Sequence, residues 1–158
     1  MRTRSQEFAK HVFQRVSQFK DRHTRPDGKT DDARIKEYGS MAHKLPVLIR
    51  TAGLAQALAF VAASGSSKQE HSDQLHPHQQ LLEDLASTIK QQDADRFFNA
   101  AGFLTASREQ ELDEYLRLTR ETLGALLWFK RFAQSVLRVE PGEEAGGDKH
   151  ENQKGGGA

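Results

Sequence analysis

The chain is organised around residues 31–65, which read DDARIKEYGSMAHKLPVLIRTAGLAQALAFVAASG. Apolar side chains recur there at three- and four-residue spacing, at Ile35, Tyr38, Met41, Ala42, Leu45, Leu48, Ile49 and Ala52. This spacing is typical of a helix that turns one face to a core. Pro46 lacks a backbone donor and disfavours helical angles at the residue before it, so it predicts a kink or a fresh helix start. Gly53 predicts the turn into another helix over 54–63.

Length and composition favour a single soluble domain. The chain has 158 residues, a usual size for one domain with its own core. It contains no cysteine, which excludes disulfides and thiolate metal sites. No stretch approaches the ~20 apolar residues of a membrane span, and residues 1–6 lack the apolar run of a signal peptide. The sequence therefore predicts a cytoplasmic protein that does not contact a membrane.

The net charge of +1 conceals an asymmetry between the body of the chain and its end. Residues 140–158 carry five acidic and two basic side chains, so they have a net charge of −3 and residues 1–139 have +4. Because apolar residues nearly vanish after residue 139, the sequence predicts a domain over 1–139 and a disordered tail over 140–158. A basic body favours an anionic partner, although solvated surface charge explains a value of +4 equally well.

A first helix is predicted from Thr3 to Arg22, and Thr3 with Gln6 matches a capping box. On a helical wheel four side chains form a stripe beside its apolar face: Arg4, His11, Arg15 and Arg22. One interpretation is a series of phosphate contacts, since the arginine fork suits phosphate oxygens. The other is a solvated helix edge whose arginine stems cover apolar neighbours.

Two helices are predicted between the central stretch and the last helix. The first covers about 77–91 and begins with Pro77, a residue favoured at the first helical position. The second is short, is capped by Asp93, carries Phe97, Phe98 and Ala101 and ends at Gly102. Phe103 is expected to insert into the core.

The last helix is predicted to be the longest, over about 108–139, opened by a capping box of Ser107 and Gln110. Its apolar residues fall on two adjoining faces, one with Leu112, Tyr115, Leu116, Leu123, Leu126 and Leu137, the other with Leu118, Phe129, Phe132 and Val136. The remaining side carries Arg117, Arg120, Arg131 and Arg138 beside Trp128. Basic groups next to an aromatic ring suit RNA, but they are also favoured at protein interfaces. This surface therefore leaves both partners open.

The histidines do not form a recognisable catalytic or metal pattern. His71, His76 and His78 are close in sequence, but structural zinc sites need four well-placed ligands and no cysteine is available, so neither a metal nor a cofactor is predicted. A metal-independent nuclease is an alternative that would use His11, His23 or His43 as acid–base groups. A further alternative is a free-standing helical oligomer or a DNA-binding regulator, for which residues 93–102 are too apolar to form a recognition helix.

Two motifs resemble a known family. The first is the Leu-Pro…Gly-Leu…Ala-Phe pattern of residues 45–60, and the second is the run EYLRLTRETLGALLWFKRFA of residues 114–133. Together, in this order and in an all-helical chain of this size, they resemble the small helical subunit of the type III-B CRISPR ribonuclease complex, the Cmr complex. The resemblance covers about residues 5–138.

The resemblance implies an all-α bundle of about five to six helices with a long C-terminal helix. It also implies a non-catalytic role: several copies stack as a minor filament beside the backbone subunits that grip the guide RNA, and they help to hold target RNA. The expected partners are sibling subunits, copies of the chain itself, and guide and target RNA. Candidate RNA contacts are Arg4, Arg15, Arg22, Lys44, Arg50, Arg117, Arg120, Lys130, Arg131 and Arg138. Trp128 is the candidate contact with another subunit.

Overall fold

Six helices account for most of the residues that the computed structural model describes, 1–66, 74–97 and 99–142. In chain order they are α1 (Arg4–Arg22), α2 (Asp32–Ala52), α3 (Leu54–Ser66), α4 (Pro77–Lys90), α5 (Ala100–Glu109) and α6 (Leu112–Ser135). The predicted all-α class, with five to six helices and a long C-terminal helix, is confirmed. The predictions that concern His71, Phe98 and the tail after Gly142 lie outside the described residues.

Several predicted helix ends are confirmed by their capping contacts. Thr3 and Gln6 form the reciprocal capping box at the start of α1. Pro77 is the first residue of α4. Gly53 separates α2 from α3 with a φ of 86°, in the left-handed region that glycine enters without steric penalty. Local sequence signals therefore place these ends correctly.

The fresh helix start predicted at Pro46 is wrong, because α2 runs continuously from Asp32 to Ala52. A proline inside a helix costs about 3 kcal/mol through its missing hydrogen bond and a steric clash. Here Leu45 and Pro46 are both buried, and burying large apolar side chains stabilises by about 1.5–3 kcal/mol each. Burial of one long face therefore outweighs the local preference for a break.

The short helix predicted to end at Gly102 and the predicted start of the last helix at about residue 108 are both misplaced. Residues 91–97 form turns and bends, and α5 begins only at Ala100, where the Asn99 side chain accepts a hydrogen bond from the Gly102 backbone N–H at 3.0 Å. Gly102 thus lies inside α5 and does not end a helix. Ser107 is not a cap but a buried residue of α5. Its hydroxyl donates to the Leu104 carbonyl oxygen at 2.6 Å.

Helix α6 lies against both α1 and α2, while α4 packs on α1, α2, α3 and α6. Phe19 of α1 stacks on Tyr38 of α2 with ring centroids 4.1 Å apart. Phe103 is fully buried, as predicted. The predicted core face of α6 is wrong at its N-terminal end, where Leu112 and Leu116 are exposed. Apolar residues occupy so much of the surface of α6 that a helical wheel does not show which part other helices bury.

The four residues after α6, Val136–Val139, form an extension that we call the C-terminal strap. Leu137 and Val139 are buried. The Val139 carbonyl oxygen lies 2.9 Å from His43 Nε2 of α2. The Val139 side chain occupies the space above Gly39, where a Cβ would come within 2.6 Å of the Val139 Cβ. The core thus extends to Val139. None of the described helices is long and apolar enough to cross a membrane.

Candidate functional site

The predicted stripe on α1 faces α4 and forms a polar seam. Arg15 Nη2 donates to Ser87 Oγ at 2.6 Å, and Arg15 Nη1 lies 3.8 Å from the carboxylate of Asp84. His11 Nε2 lies 3.2 Å from the same Ser87 hydroxyl. Arg22 donates to Gln80 Oε1 at 3.3 Å. The stripe is therefore not a simply solvated edge, since three of its four members contact α4, and its phosphate contacts stay a prediction.

Asp84 is the buried centre of this seam. Its carboxylate accepts hydrogen bonds from the Tyr38 hydroxyl at 2.7 Å and from the Gln80 amide at 2.9 Å. Burial raises the pKa of Asp84 to about 6, although these hydrogen bonds and Arg15 act in the opposite direction. Burial, together with the Asp84 charge, also raises the pKa of Tyr38. These groups stabilise the packing of α1, α2 and α4.

The three histidines proposed for acid–base chemistry lie in separate structural contacts. The Gln91 amide donates to His11 Nδ1 at 2.6 Å, and burial and Arg15 lower the pKa of His11 to about 4. The His23 ring packs on Phe19 with centroids 4.4 Å apart, and burial lowers its pKa. His43 contacts the C-terminal strap. The three rings therefore lie in three separate environments and do not converge on one another.

A groove between α1 and α6 brings together basic residues that are far apart in the sequence. It has a volume of about 580 Å³ and is lined by Arg4, Ser5, Phe8, Arg117, Arg120, Glu121, Gly124 and Leu127. Three of the predicted RNA-contacting residues, Arg4, Arg117 and Arg120, thus line one surface, which we call the arginine groove. Gly124 contributes only backbone to this lining, and a Cβ there would meet the Phe8 ring at an ordinary van der Waals distance of 3.6 Å.

The charges of the arginine groove are linked through Glu121. Arg117 Nε donates to Glu121 Oε1 at 3.2 Å, and Arg4 Nη1 lies 3.8 Å from the same oxygen. Arg96, from the segment between α4 and α5, donates to Glu121 Oε2. Glu114 lies 3.6 Å from both Arg96 and Arg117. The charge of Glu121, and then its hydrogen bond, raise the pKa of Arg117.

The network leaves the groove basic. The groove lining contains three arginines, Arg4, Arg117 and Arg120, and one glutamate, Glu121, which gives a local net charge of +2. The side chains of Arg4 and Arg117 are 58% and 45% exposed, so they keep donors that face solvent. An arginine carries five N–H donors in a planar fork, more than these contacts use. The surface is therefore suited to an anion with several oxygen acceptors.

An aromatic patch, Phe13, Trp128 and Phe132, is held together by its own ring contacts. The ring centroids of Trp128 and Phe132 are 5.8 Å apart, and those of Phe13 and Phe132 are 5.4 Å apart in an edge-on arrangement. Trp128 Nε1 donates to Ser5 Oγ, a groove residue, at 3.2 Å. The Arg131 guanidinium lies 5.3 Å from the Trp128 ring centroid. Trp128 is only partly covered within the chain.

The other candidate residues do not line the arginine groove. Lys44 and Arg50 are exposed on α2, and Lys130 is half-buried on α6. Arg138 is exposed in the C-terminal strap, where its φ of 59° is unusual for a residue with a side chain. The structure thus divides the predicted set into a convergent group of three and a scattered remainder.

The histidine-rich segment before α4 supports the helix start. The His76 side chain accepts a hydrogen bond from the His78 backbone N–H at 3.2 Å, and His78 Nδ1 lies 2.8 Å from the Ser64 hydroxyl. His76 also lies 3.3 Å from Glu37. Within the described residues no group of three or more His, Asp or Glu side chains is arranged to hold a metal ion.

Three residues of the network, Arg96, Glu114 and Glu121, were not anticipated from the sequence. Glu121 follows Arg117 by four residues, a spacing that pairs side chains on one helix face, so this contact was open to prediction. Arg96 lies in a segment without regular structure, and no sequence pattern indicates that it reaches α6.

Comparison with known proteins identifies the family. The profile for "CRISPR-associated protein (Cas_Cmr5)" matches residues 4–136, most of the chain and both motifs. The chain belongs to this family. A curated relative, "CRISPR system Cmr subunit Cmr5" of Thermus thermophilus, is 42% identical over 137 residues, which cover 87% of this chain and 98% of that protein. The family predicted from residues 45–60 and 114–133 is therefore confirmed.

A solved structure supports the same assignment. The crystal structure of a CRISPR-associated Cmr5 family protein, also from Thermus thermophilus, is 39% identical in sequence and superposes with a TM-score of 0.64. The match covers 88% of this chain and 100% of that one. The fold of this chain is thus similar to that of a solved Cmr5 family protein over the whole length of that protein.

Proposed function

We propose that the chain is a non-catalytic subunit of a cytoplasmic type III-B Cmr complex that silences foreign RNA. In this role it helps to hold target RNA beside the backbone subunits that carry the guide. Membership of the Cmr5 family supports this proposal, as does the relative that is a Cmr subunit. The observation that carries the RNA contact is the convergence of Arg4, Arg117 and Arg120 in one groove.

The arginine groove suits a single RNA strand. Arginine forks bind phosphate oxygens by paired, charge-assisted hydrogen bonds. The aromatic patch lies beside the groove, since Trp128 contacts Ser5. A local charge of +2 gives weak, sequence-independent binding, with Kd of about 10⁻⁴–10⁻⁶ M at physiological salt. Several copies along one strand strengthen it through effective concentration, by about 10²–10⁴-fold.

The test is RNA binding by charge-matched triple variants. One variant replaces Arg4, Arg117 and Arg120 by Gln. Its control replaces three exposed basic residues elsewhere, Arg25, Lys29 and Lys36, by Gln. Fluorescence anisotropy with several unrelated single-stranded RNAs is measured at about 50 and about 200 mM salt, a range over which phosphate contacts weaken strongly.

The groove variant is expected to lose binding and the control to retain most of it. Each phosphate contact contributes about 0.7 to the slope of log K against log salt for single strands, so losing three contacts reduces the slope by about 2. Equal losses in both variants would show that only net charge matters. Nanomolar, sequence-selective and salt-insensitive binding by the lone wild-type chain would also contradict the proposal.

Copies of the chain stack head to tail in the proposed function. One end of α6 is acidic and apolar, with Glu109, Glu111 and Asp113 around the exposed Leu112 and Leu116. The other end carries the aromatic patch with Lys130 and Arg131. At about 1.5 Å per residue the two ends are roughly 25 Å apart along the helix. Two different, complementary surfaces on one chain produce an open stack and not a closed dimer.

A charge-reversal cycle tests the stacking. Glu111→Lys and Arg131→Glu are each expected to weaken self-association, measured by sedimentation velocity across a range of concentrations. The double variant is expected to recover it, because the reversed charges attract again. Additive weakening in the double variant would contradict this pairing of surfaces.

Affinity purification from the native cell addresses the wider assembly. Sibling Cmr proteins and guide RNA should co-purify with the chain if it is a subunit of the complex. A free-standing oligomer or regulator would yield neither.

A further inference from the structure

The base of the arginine groove is a carboxylate. The Glu121 side chain is 2% exposed, and arginines from three parts of the chain reach it. Arg117 comes from the preceding turn of α6, Arg4 from α1 and Arg96 from the segment between α4 and α5. A negative charge beside an anion-binding surface opposes binding by simple electrostatics. The position of Glu121 beside this surface therefore indicates that the carboxylate does more than add a negative charge.

The contacts show how the carboxylate orients two arginines. Arg117 turns its Nε edge to Glu121 Oε1, at 3.2 Å. Arg4 approaches the same oxygen with Nη1 at 3.8 Å, which is an ion-pair distance longer than a hydrogen bond. Each guanidinium therefore has donors left, and both side chains remain half-exposed at the groove. The carboxylate limits where two long, flexible side chains can lie.

Arg96 balances the charge of Glu121 from behind the groove. It donates to the second carboxylate oxygen, Oε2, and its side chain is 10% exposed. Arg96 does not line the arginine groove. Its positive charge offsets Glu121, so those of Arg4, Arg117 and Arg120 remain available to an incoming anion.

We infer that Glu121 is a positioning residue for RNA binding, which holds Arg4 and Arg117 with their free donor edges toward the groove. The inference rests on the proposed function. It predicts a change in RNA affinity on neutralising Glu121 that is opposite in sign to the change expected from simple electrostatics. Neutralising an acid near a phosphate site normally strengthens phosphate binding, whereas neutralising Glu121 weakens it here because the arginines lose their orientation.

The first experiment compares Glu121→Gln with Asp113→Asn. Both remove one negative charge from α6, and Asp113 is exposed one turn before Arg117. RNA affinity is measured by anisotropy at low salt, at protein concentrations where the chain is monomeric. Asp113→Asn is expected to raise affinity by no more than about twofold, the effect of one exposed and screened charge. Glu121→Gln is expected to lower it roughly three- to tenfold, about the loss of one phosphate contact. Unchanged or tighter binding by Glu121→Gln overturns the inference.

The second experiment does not use RNA and so separates this inference from the proposed function. The Arg117 Nε–H signal is followed by proton–nitrogen NMR. In the wild-type protein and in Asp113→Asn it is expected to be protected from solvent exchange, and in Glu121→Gln the protection is lost. Rapid exchange in the wild-type protein overturns the inference. Protected Arg117 in a protein that binds no RNA contradicts the proposed function alone.

A conservative variant covers the case in which Glu121→Gln does not fold. Glu121→Asp keeps the charge that pairs with Arg96 but withdraws the carboxylate by one methylene. At equal net charge, it is expected to weaken RNA binding by at least about threefold, since one phosphate contact is disturbed. Wild-type affinity in Glu121→Asp, with folding checked by circular dichroism, overturns the inference.

Discussion

The C-terminal strap should contribute to stability through alternate residues. Leu137 and Val139 are buried, whereas Arg138 between them is exposed and has a left-handed backbone. We therefore expect Leu137→Ala and Val139→Ala to destabilise the protein. Arg138→Gly should leave stability unchanged or raise it. Removing residues 140–158 should have almost no effect, because Val139 is the last buried residue in the described part of the chain.

The magnitudes follow from the burial. Leu→Ala in a core costs about 2–5 kcal/mol, and a strap near the chain end can partly collapse, so about 2–3 kcal/mol is expected for Leu137. Val139→Ala loses two methyl groups, at about 0.8 kcal/mol each, and leaves a space above Gly39, so about 2 kcal/mol is expected. A left-handed conformation costs a residue with a side chain about 1–2 kcal/mol, and Arg138→Gly removes this cost. The greater flexibility of glycine in the unfolded chain offsets part of the gain in stability.

The assay is thermal unfolding by circular dichroism, with chain 1–139 as the parent of all three variants. At about 4 °C per kcal/mol, Leu137→Ala should lower Tm by roughly 8–12 °C and Val139→Ala by roughly 8 °C. Arg138→Gly is the neighbouring control. The reasoning is refuted if both alanine variants melt within about 1 °C of the parent. It is also refuted if chain 1–139 melts far below the full-length protein.

Three further predictions concern charge and chemistry. Because the pKa of Asp84 rises from 3.8 to about 6, the folded state retains a proton that the unfolded chain loses. Stability attributable to Asp84 should therefore fall as pH rises from about 4 to about 6, by up to about 3 kcal/mol relative to Asp84→Asn. Urea unfolding of the wild-type protein and of Asp84→Asn over this pH range checks this. The lowered pKa of His11 changes stability in the opposite direction, but His11 is present in both proteins, so its contribution cancels in the difference between their free energies of unfolding. The purified chain should have no ribonuclease activity with or without divalent metal; activity that survives repurification and disappears in His11→Ala would contradict the non-catalytic role. Replacing Lys130 and Arg131 together by Ala should weaken RNA binding or assembly with little change in Tm, and an unfolded variant would show that the pair is structural.

The sequence predicts helix ends well where residues at the end itself form the cap or the turn. The capping box at Thr3 and the glycine at position 53 are local signals, and both are confirmed. The prediction failed where local signals compete. Gly102 looked like a helix end, yet the Asn99 cap starts α5 just before it. Pro46 looked like a break, yet burial along α2 keeps the helix continuous.

The candidate site depends on tertiary contacts, which explains why the sequence predicts only part of it. The wheel placed Arg4 and Arg15 on one stripe, but only packing decides that Arg15 contacts α4 while Arg4 lies beside α6. Similarly, Arg117 and Glu121 are four residues apart on α6, whereas Arg96 approaches from a different segment. Basic residues could therefore be nominated individually, but not grouped.

Gly124 lines the arginine groove, and a substitution there would change the shape of the groove without changing its charge. Gly124 contributes no charge and no hydrogen bond from a side chain, and the nearest non-local atom to a Cβ added there is in the Phe8 ring, at 3.6 Å. An apolar side chain at this position would add volume to the groove lining next to Phe8 without changing its charge. The depth of the groove can thus be altered at constant electrostatic potential. Binding that depends on entry of a phosphate or base would be blocked, while long-range attraction of RNA to the surface would persist.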